Sequence, residues 1–220
     1  MGHPLWPLFD LRLRIGDLEL RLPTDADLIE LGLLARAGVH PPEEMPFAVA
    51  WTDLPSPQFE RSFVQFHWSS RAGWRPSNWT LDLAVSRGGL LVGMQGVAAK
   101  DFAVLRTVNS GSWLGREFQR QGIGRLMRQA VLGLAFDHLG AQFAESGAFL
   151  DNVASIRVSE ALGYEPNGIA RVAPRDTPHD MVRYRMTLEG WQSRPRARLG
   201  IEGLDHCLDL FGVGTPAPSG

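Results

Sequence analysis

The chain has 220 residues, of which 44% are hydrophobic and 21% charged, with a formal net charge of −2; this is enough to bury one sizeable core and too apolar for disorder throughout. The near-neutral balance makes nucleic acid an unfavoured partner, no apolar run is long enough to cross a bilayer, and the start lacks a basic-then-apolar secretory pattern, so a soluble, cytoplasmic protein without membrane contact is expected. Cys207 is the only cysteine, which excludes an internal disulfide and a cysteine zinc cluster, and the six histidines show no HxxxH or HxH spacing, so no metal site is expected and Cys207 reads as structural.

In chain order, residues 18–22 are extended, and Pro23-Thr24-Asp25-Ala26-Asp27 is a helix-start cluster that predicts a helix over 26–37. Pro41, Pro42, Pro46, Pro55 and Pro57 are dense enough to predict a loop over 39–57. Its Phe47, Val49 and Trp51 give it enough apolar surface to cover something. Phe59, Phe63, Phe66 and His67 fall at helical intervals in a helix over 58–73 that ends at Gly73 and Pro76, with His67 expected at its surface or end. Three successive antiparallel strands follow, over 79–86, 90–100 and 106–114, the first two joined at Arg87-Gly88-Gly89. A helix over 125–138, a strand over 142–148, a helix over 152–162 and a last strand over 181–188 complete a mixed α/β sheet. No internal repeat is visible, and the expected organisation is one domain over 1–191 with an N-terminal extension, then a tail over 192–220. The tail carries Arg194, Arg196 and Arg198 followed by Cys207-Leu208-Asp209-Leu210-Phe211; it is too apolar to hang free, so it is expected to pack on the domain or on a neighbouring subunit before a frayed end. A homodimer or higher homo-oligomer is the preferred assembly.

The most informative stretch runs from Trp113 to Met127. Gly122 and Gly124 remove side chains where the backbone must approach a ligand, and their amides open a helix whose Leu126, Met127, Ala130, Val131, Leu134 and Ala135 form an apolar face. Arg116, Arg120, Arg125 and Arg128 surround these glycines with only Glu117 opposing them, a field suited to a phosphate-rich ligand. Met127 stands where a dinucleotide fingerprint needs its third glycine, and no Gly-Lys-Ser/Thr follows, so both common nucleotide motifs fail.

Gln119-Arg120-Gln121-Gly122-Ile123-Gly124 reads QxxGxG and resembles the pyrophosphate-binding motif of the GNAT N-acetyltransferases. Asn152, Ser155 and Gly163-Tyr164 then read NxxSxxxxxxxGY, and Gly168, Asp180, Tyr184, Met186 and Trp191 continue a pattern similar to the ribosomal-protein N-terminal acetyltransferase branch, so the resemblance covers about residues 17–191. It implies a GNAT-type fold, a mostly antiparallel mixed sheet flanked by helices, and direct transfer of an acyl group from acetyl-CoA or succinyl-CoA to an amine: a protein N-terminus, a lysine or a small molecule. It also implies a cofactor site built from Trp113, Leu114, Gln119, Arg120, Gln121, Gly122, Ile123, Gly124, Arg125, Asn152 and Ser155, with Trp113, Ser112 and their neighbours on a splayed strand edge.

An amine must lose a proton before it attacks. On the resemblance, Glu145 is the candidate base; its other reading is an ion pair with one of many arginines. The tyrosine that often protonates the leaving thiolate would fall near Ser159 and is absent, leaving Ser155 as the candidate acid or, equally, as part of a helix cap. Asn152 reads either as a pantetheine contact or as an N-cap. Succinyl-CoA enters as a donor because Trp6-Pro7-Leu8-Phe9-Asp10, Met45-Pro46-Phe47 with Trp51-Thr52, Ser110-Gly111-Ser112-Trp113-Leu114-Gly115 and Leu210-Phe211-Gly212 resemble a bacterial GNAT subgroup that includes a succinyltransferase. The other class of function is a non-catalytic acyl-CoA sensor. The acceptor is not legible, because the segments that would choose it, 39–57 and 170–180, are irregular.

Overall fold

The computed structural model describes residues 3–214; the frayed end expected beyond them lies outside the described residues. Among the described residues nine strands form one sheet in the order β7-β8-β6-β5-β4-β3-β2-β1-β9. Their spans are β1 Arg12–Ile15, β2 Leu18–Arg21, β3 Asn78–Arg87, β4 Leu90–Lys100, β5 Thr107–Leu114, β6 Phe143–Phe149, β7 Glu165–Val172, β8 His179–Thr187 and β9 Leu199–Glu202. Every neighbouring pair is antiparallel except β5 with β6. The sheet is thus mixed and mostly antiparallel, as the sequence predicts.

Helices cover both faces. On one face lie α1 (Asp25–Ala37) and α2 (Gln58–Ala72), packed on β4 and β3; on the other α4 (Ile123–Gly133) crosses β1, β2, β4 and β5 with α5 (Val153–Leu162) beside it. Two short helices, α3 (Phe102–Leu105) and α6 (Leu188–Gln192), make corners. The start of α1 follows from Thr24, whose hydroxyl accepts from the Asp27 amide at 3.2 Å while the Asp27 carboxylate accepts from the Thr24 amide at 2.6 Å, a reciprocal cap. The strand alternation sorts the core accordingly: Leu81, Leu83 and Val85 of β3 point to the α4 side with Val131 and Ala135, while Ala84 and Met94 point to Leu28, Leu31, Phe59 and Phe63.

Several elements differ from the expectations. Arg12–Ile15 forms β1, two residues before β2. The predicted 106–114 strand begins at Thr107, after α3 has turned the chain at Asp101 and Arg106, both in the left-handed region. The predicted 125–138 helix starts earlier, at Ile123, and its last turn, Leu134–His138, widens to a π-helical turn. β7 lies where part of a loop was expected. It is an exposed edge strand containing Pro166 and Gly168, with a register shift between Pro166 and Ile169, so it shows no alternation to read. The segment 39–57 is irregular apart from one 3-10 turn, Trp51–Asp53.

The C-terminal segment is woven into this frame. β9 pairs with β1, and Phe211, fully buried, sits edge-on against Trp74 and Trp79 with ring centroids 5.5 and 5.0 Å away. Cys207 is also fully buried, and that burial pushes its thiol up to about 12, a group held protonated and unreactive. His67 departs from its expected place at a helix surface: it is buried under α2, with Nδ1 3.4 Å from an Asp82 carboxylate oxygen. Among the described residues no helix is long and apolar enough to cross a membrane.

Candidate functional site

Two features of the sheet and α4 meet at one place. The parallel rungs between β5 and β6 stop after Asn109 and Glu145, so the rest of β5, from Ser110 to Leu114, diverges from β6 and leaves a V-shaped gap. The Ser146 hydroxyl reaches across its throat, donating to the Ser110 carbonyl at 3.2 Å. The far edge of β5 therefore has main-chain groups without a strand partner.

At the open end of the gap stands the N-terminus of α4. Arg120 and Gly122 both adopt left-handed conformations, with φ of 60° and 81°. Among the described residues no acceptor meets the amides of Arg120, Gln121, Gly122, Ile123 and Gly124. Consecutive N–H groups turned outward by left-handed residues form a concave anion site, reinforced here by the dipole of an eleven-residue helix. Nothing lies within 4 Å of the position a Gly122 side chain would take.

The flanking side chains hold this loop in place rather than reach into it. Gln119 Nε2 donates to the carbonyls of Val39 (2.7 Å) and Leu114 (3.0 Å), tying the loop to the end of β5 and to the segment after α1. Gln121 Nε2 donates to the Glu117 carbonyl at 2.8 Å, and its Oε1 accepts from Arg87 at 3.0 Å. Arg116, Arg120 and Arg125 pair with no carboxylate among the described residues, which leaves their charge available.

Arg128 behaves differently from its three neighbours. It is not part of the exposed field around the glycines; it is buried against α5, where Nη1 donates to the Ser159 hydroxyl at 2.9 Å and Nε has no partner. Burial pushes the pKa of its guanidinium below its ordinary value and that of the nearby Tyr164 phenol above its own. Tyr164 in turn lies 3.3 Å from the Ser110 hydroxyl at the throat of the gap. A buried polar cluster of Arg128, Ser159, Tyr164, Ser110 and Ser146 thus underlies the splay.

At the start of α5, Asn152 Oδ1 accepts from the Ser155 amide at 3.1 Å, an N-cap. Among the described residues the Asn152 amide group and the Ser155 hydroxyl have no hydrogen-bond partner. Glu145 ends the last parallel rung, on the α2 face of the sheet, and both of its hydrogen bonds go to Arg185, from Nε at 3.1 Å and Nη2 at 2.6 Å, through Oε1 alone. Asp82, beside His67, lies on the same face; its register partner Gly96 and the next strand's Gly111 present no side chains between it and the gap. The sequence offered no signal for His67 and Asp82 as a pair.

The α2 face is closed over by residues 39–57. Trp51 packs on Trp113 at 6.0 Å and on Phe63 at 6.1 Å, so the Trp113 side chain faces this loop and not α4. Arg175 joins the segment after β7 to the same loop through two bonds to Asp53 (2.5 and 2.7 Å) and one to the Pro42 carbonyl (3.1 Å). Beneath this bridge a cavity of about 370 Å³ is lined by Arg36, His40, Thr52 and Asp53 among others. The two segments expected to choose an acceptor therefore touch. Among the described residues no three His, Cys, Asp or Glu side chains come together as a metal site.

The sequence matches the model of the acetyltransferase (GNAT) domain over residues 17–165. Solved structures share the fold. Mycobacterium smegmatis RimJ in complex with CoA-disulfide is similar at a TM-score of 0.72 and 17% identity, over 92% of this chain and 95% of its own. RimL, a ribosomal L7/L12 alpha-N-protein acetyltransferase in complex with coenzyme A, is similar at 0.64 and 17%, over 81% and 99%. A GNAT-family acetyltransferase from Bacillus anthracis is similar at 0.64 and 16%, over 81% and 99%.

Proposed function

The chain belongs to the GNAT acetyltransferase family, and from that premise we propose that it is a catalytic N-acyltransferase, using acetyl-CoA or succinyl-CoA on an amine. The observation that carries this reading is the row of five unpaired amides from Arg120 to Gly124 at the mouth of the β5–β6 gap. The residues present fit the group: a nest for pyrophosphate, free arginines beside it, and an unpaired strand edge for the amides of a pantetheine arm. When bound, acyl-CoA supplies a thioester whose acyl carbon an amine can attack.

In this reading the amides of Gly122, Ile123 and Gly124 hold the pyrophosphate and Arg120 and Arg125 screen its charge. The β5 edge at Trp113 and Leu114 serves through its main chain, while Gln119 and Gln121 act as braces of the loop. Asn152 and Ser155 border the gap from α5, with Ser155 the proton donor toward the departing sulfur. The amine approaches from the α2 face, where Glu145 is the proposed base. Arg185 fixes Oε1 of that carboxylate, so proton transfer falls to Oε2, directly or through water.

Calorimetric titration with acetyl-CoA, succinyl-CoA and free CoA is the test. One acyl form binding more tightly than free CoA is the expected result and names the donor; equal binding of all three favours a sensor, and no binding to any removes the reading. Glu145→Gln is expected to lower kcat by about 10²-fold or more, the usual worth of a positioned base, with donor affinity unchanged. An unchanged rate would shift the role to the other acid–base pair on that face, His67 with Asp82.

A further inference from the structure

A second cationic cavity lies one helical turn from the amide nest, and residues beyond the matched 17–165 build half of it. Its volume is about 120 Å³, and its wall carries Arg125 from α4 and Arg194 and Arg196 from the C-terminal segment, with no carboxylate. None of the three pairs with an acid among the described residues.

These arginines are held, not merely gathered. Arg196 Nη1 donates to the Trp191 carbonyl at 2.7 Å, and its guanidinium lies over the Trp191 ring at 4.7 Å. Trp191 is itself fixed, with Nε1 donating to Asp137 at 2.8 Å. Gln129, buried on α4, donates to the Ala197 carbonyl at 3.3 Å and pins the segment down. Arg194 lies across Gly163, where a Cβ would come within 2.2 Å of its Nε. Glycine at 163, in the left-handed region at φ 95°, is therefore what lets the Arg194 side chain cross there.

The cavity is well below the roughly 300 Å³ at which pockets begin to enclose drug-sized ligands, so it has room for a phosphoryl group and not for a base. Three guanidiniums without a counter-charge match a phosphate monoester, which accepts several charge-assisted bonds at once. Arg125 follows the nest directly in sequence, so a ligand occupying both places must carry two anionic groups separated by a short spacer. Coenzyme A has this form, with its pyrophosphate and its ribose 3′-phosphate.

We propose that Arg125, Arg194 and Arg196 form the subsite for the 3′-phosphate of the acyl-CoA donor, so that the C-terminal segment completes the donor site. This rests on the reading that acyl-CoA binds at the nest. The test is calorimetric titration of CoA and 3′-dephospho-CoA into the intact protein and into an Arg194→Ala/Arg196→Ala variant. The wild type is expected to prefer CoA by about tenfold or more, a preference that weakens with salt. The variant should lose that preference while binding 3′-dephospho-CoA as the wild type does, which also shows that it is folded. Equal wild-type affinity for the two forms, or a full preference surviving in the variant, would overturn the subsite while leaving the donor reading intact. If neither form binds the wild type, both fall together.

Discussion

Gly122→Val is expected to weaken donor binding by about a hundredfold or more, with little loss of fold stability. The strain is conformational, because Gly122 sits at φ 81° with open space around it. A β-branched residue cannot hold that angle without cost; the left-handed region is worth roughly 1–2 kcal/mol against a residue with a Cβ. Relaxing the strain means rotating the peptide, which takes the Gly122 and Ile123 amides out of the nest. Each bond to a charged group is worth about 1.5–3 kcal/mol, so losing two gives about 3–6 kcal/mol, beyond a hundredfold in affinity. Calorimetry with acetyl-CoA against thermal unfolding of the free protein separates the two effects. Binding within a few-fold of wild type would mean that the amides do not hold the anion. Gly88→Val is the matched control: it too stands at positive φ in open space, at φ 58°, but in the β3–β4 turn, so it should carry the same small stability cost without touching affinity.

The parts of the molecule that were legible share a physical property: a sharp contrast between their two sides. The 3.6-residue period of 58–73 comes from a single core face, and in 79–86 Trp79, Leu81, Leu83 and Val85 all face the α4 side while Thr80, Asp82, Ala84 and Ser86 face the other, which is why α2 and β3 were readable nearly to the residue. Two of the strands that went unread have no such contrast. β7 and β9 are exposed edge strands, and β9 exists only because β1 lies beside it, a pairing of residues far apart in the chain. The site divides in the same way. The loop glycines were visible because only a special backbone needs them in that order, and the amide nest lies where they stand. Side-chain roles were less visible. Gln119 and Gln121 sit inside the motif, yet their amides brace the loop, and Trp113 turns its ring toward Trp51. Nothing local encodes these directions, because the partners are carbonyls and rings brought in by tertiary structure.

Arg128 shows the limit most clearly and carries the second large prediction. The apolar face of α4 was read as one stripe, but the helix is buried on two sides, by the sheet and by α5, and Arg128 falls under the second. A guanidinium there has left water for a single hydroxyl partner and no counter-charge, an arrangement that costs the fold several kcal/mol. Arg128→Met, which keeps much of the volume and removes the charge, is expected to stabilise the protein by about 1–4 kcal/mol, the range found when buried ionic groups give way to apolar ones. In a chain of this size that raises the thermal midpoint by about 2–4 °C per kcal/mol, read by calorimetric melting. A lowered midpoint would mean that the Ser159 bond and the surrounding packing already satisfy the arginine, making it a structural element of the α4–α5 contact. A raised midpoint has the opposite sense. A cation that weakens the fold, placed beside Ser159 and Tyr164 beneath the gap between β5 and β6, belongs to what that gap does and not to what holds the helices together.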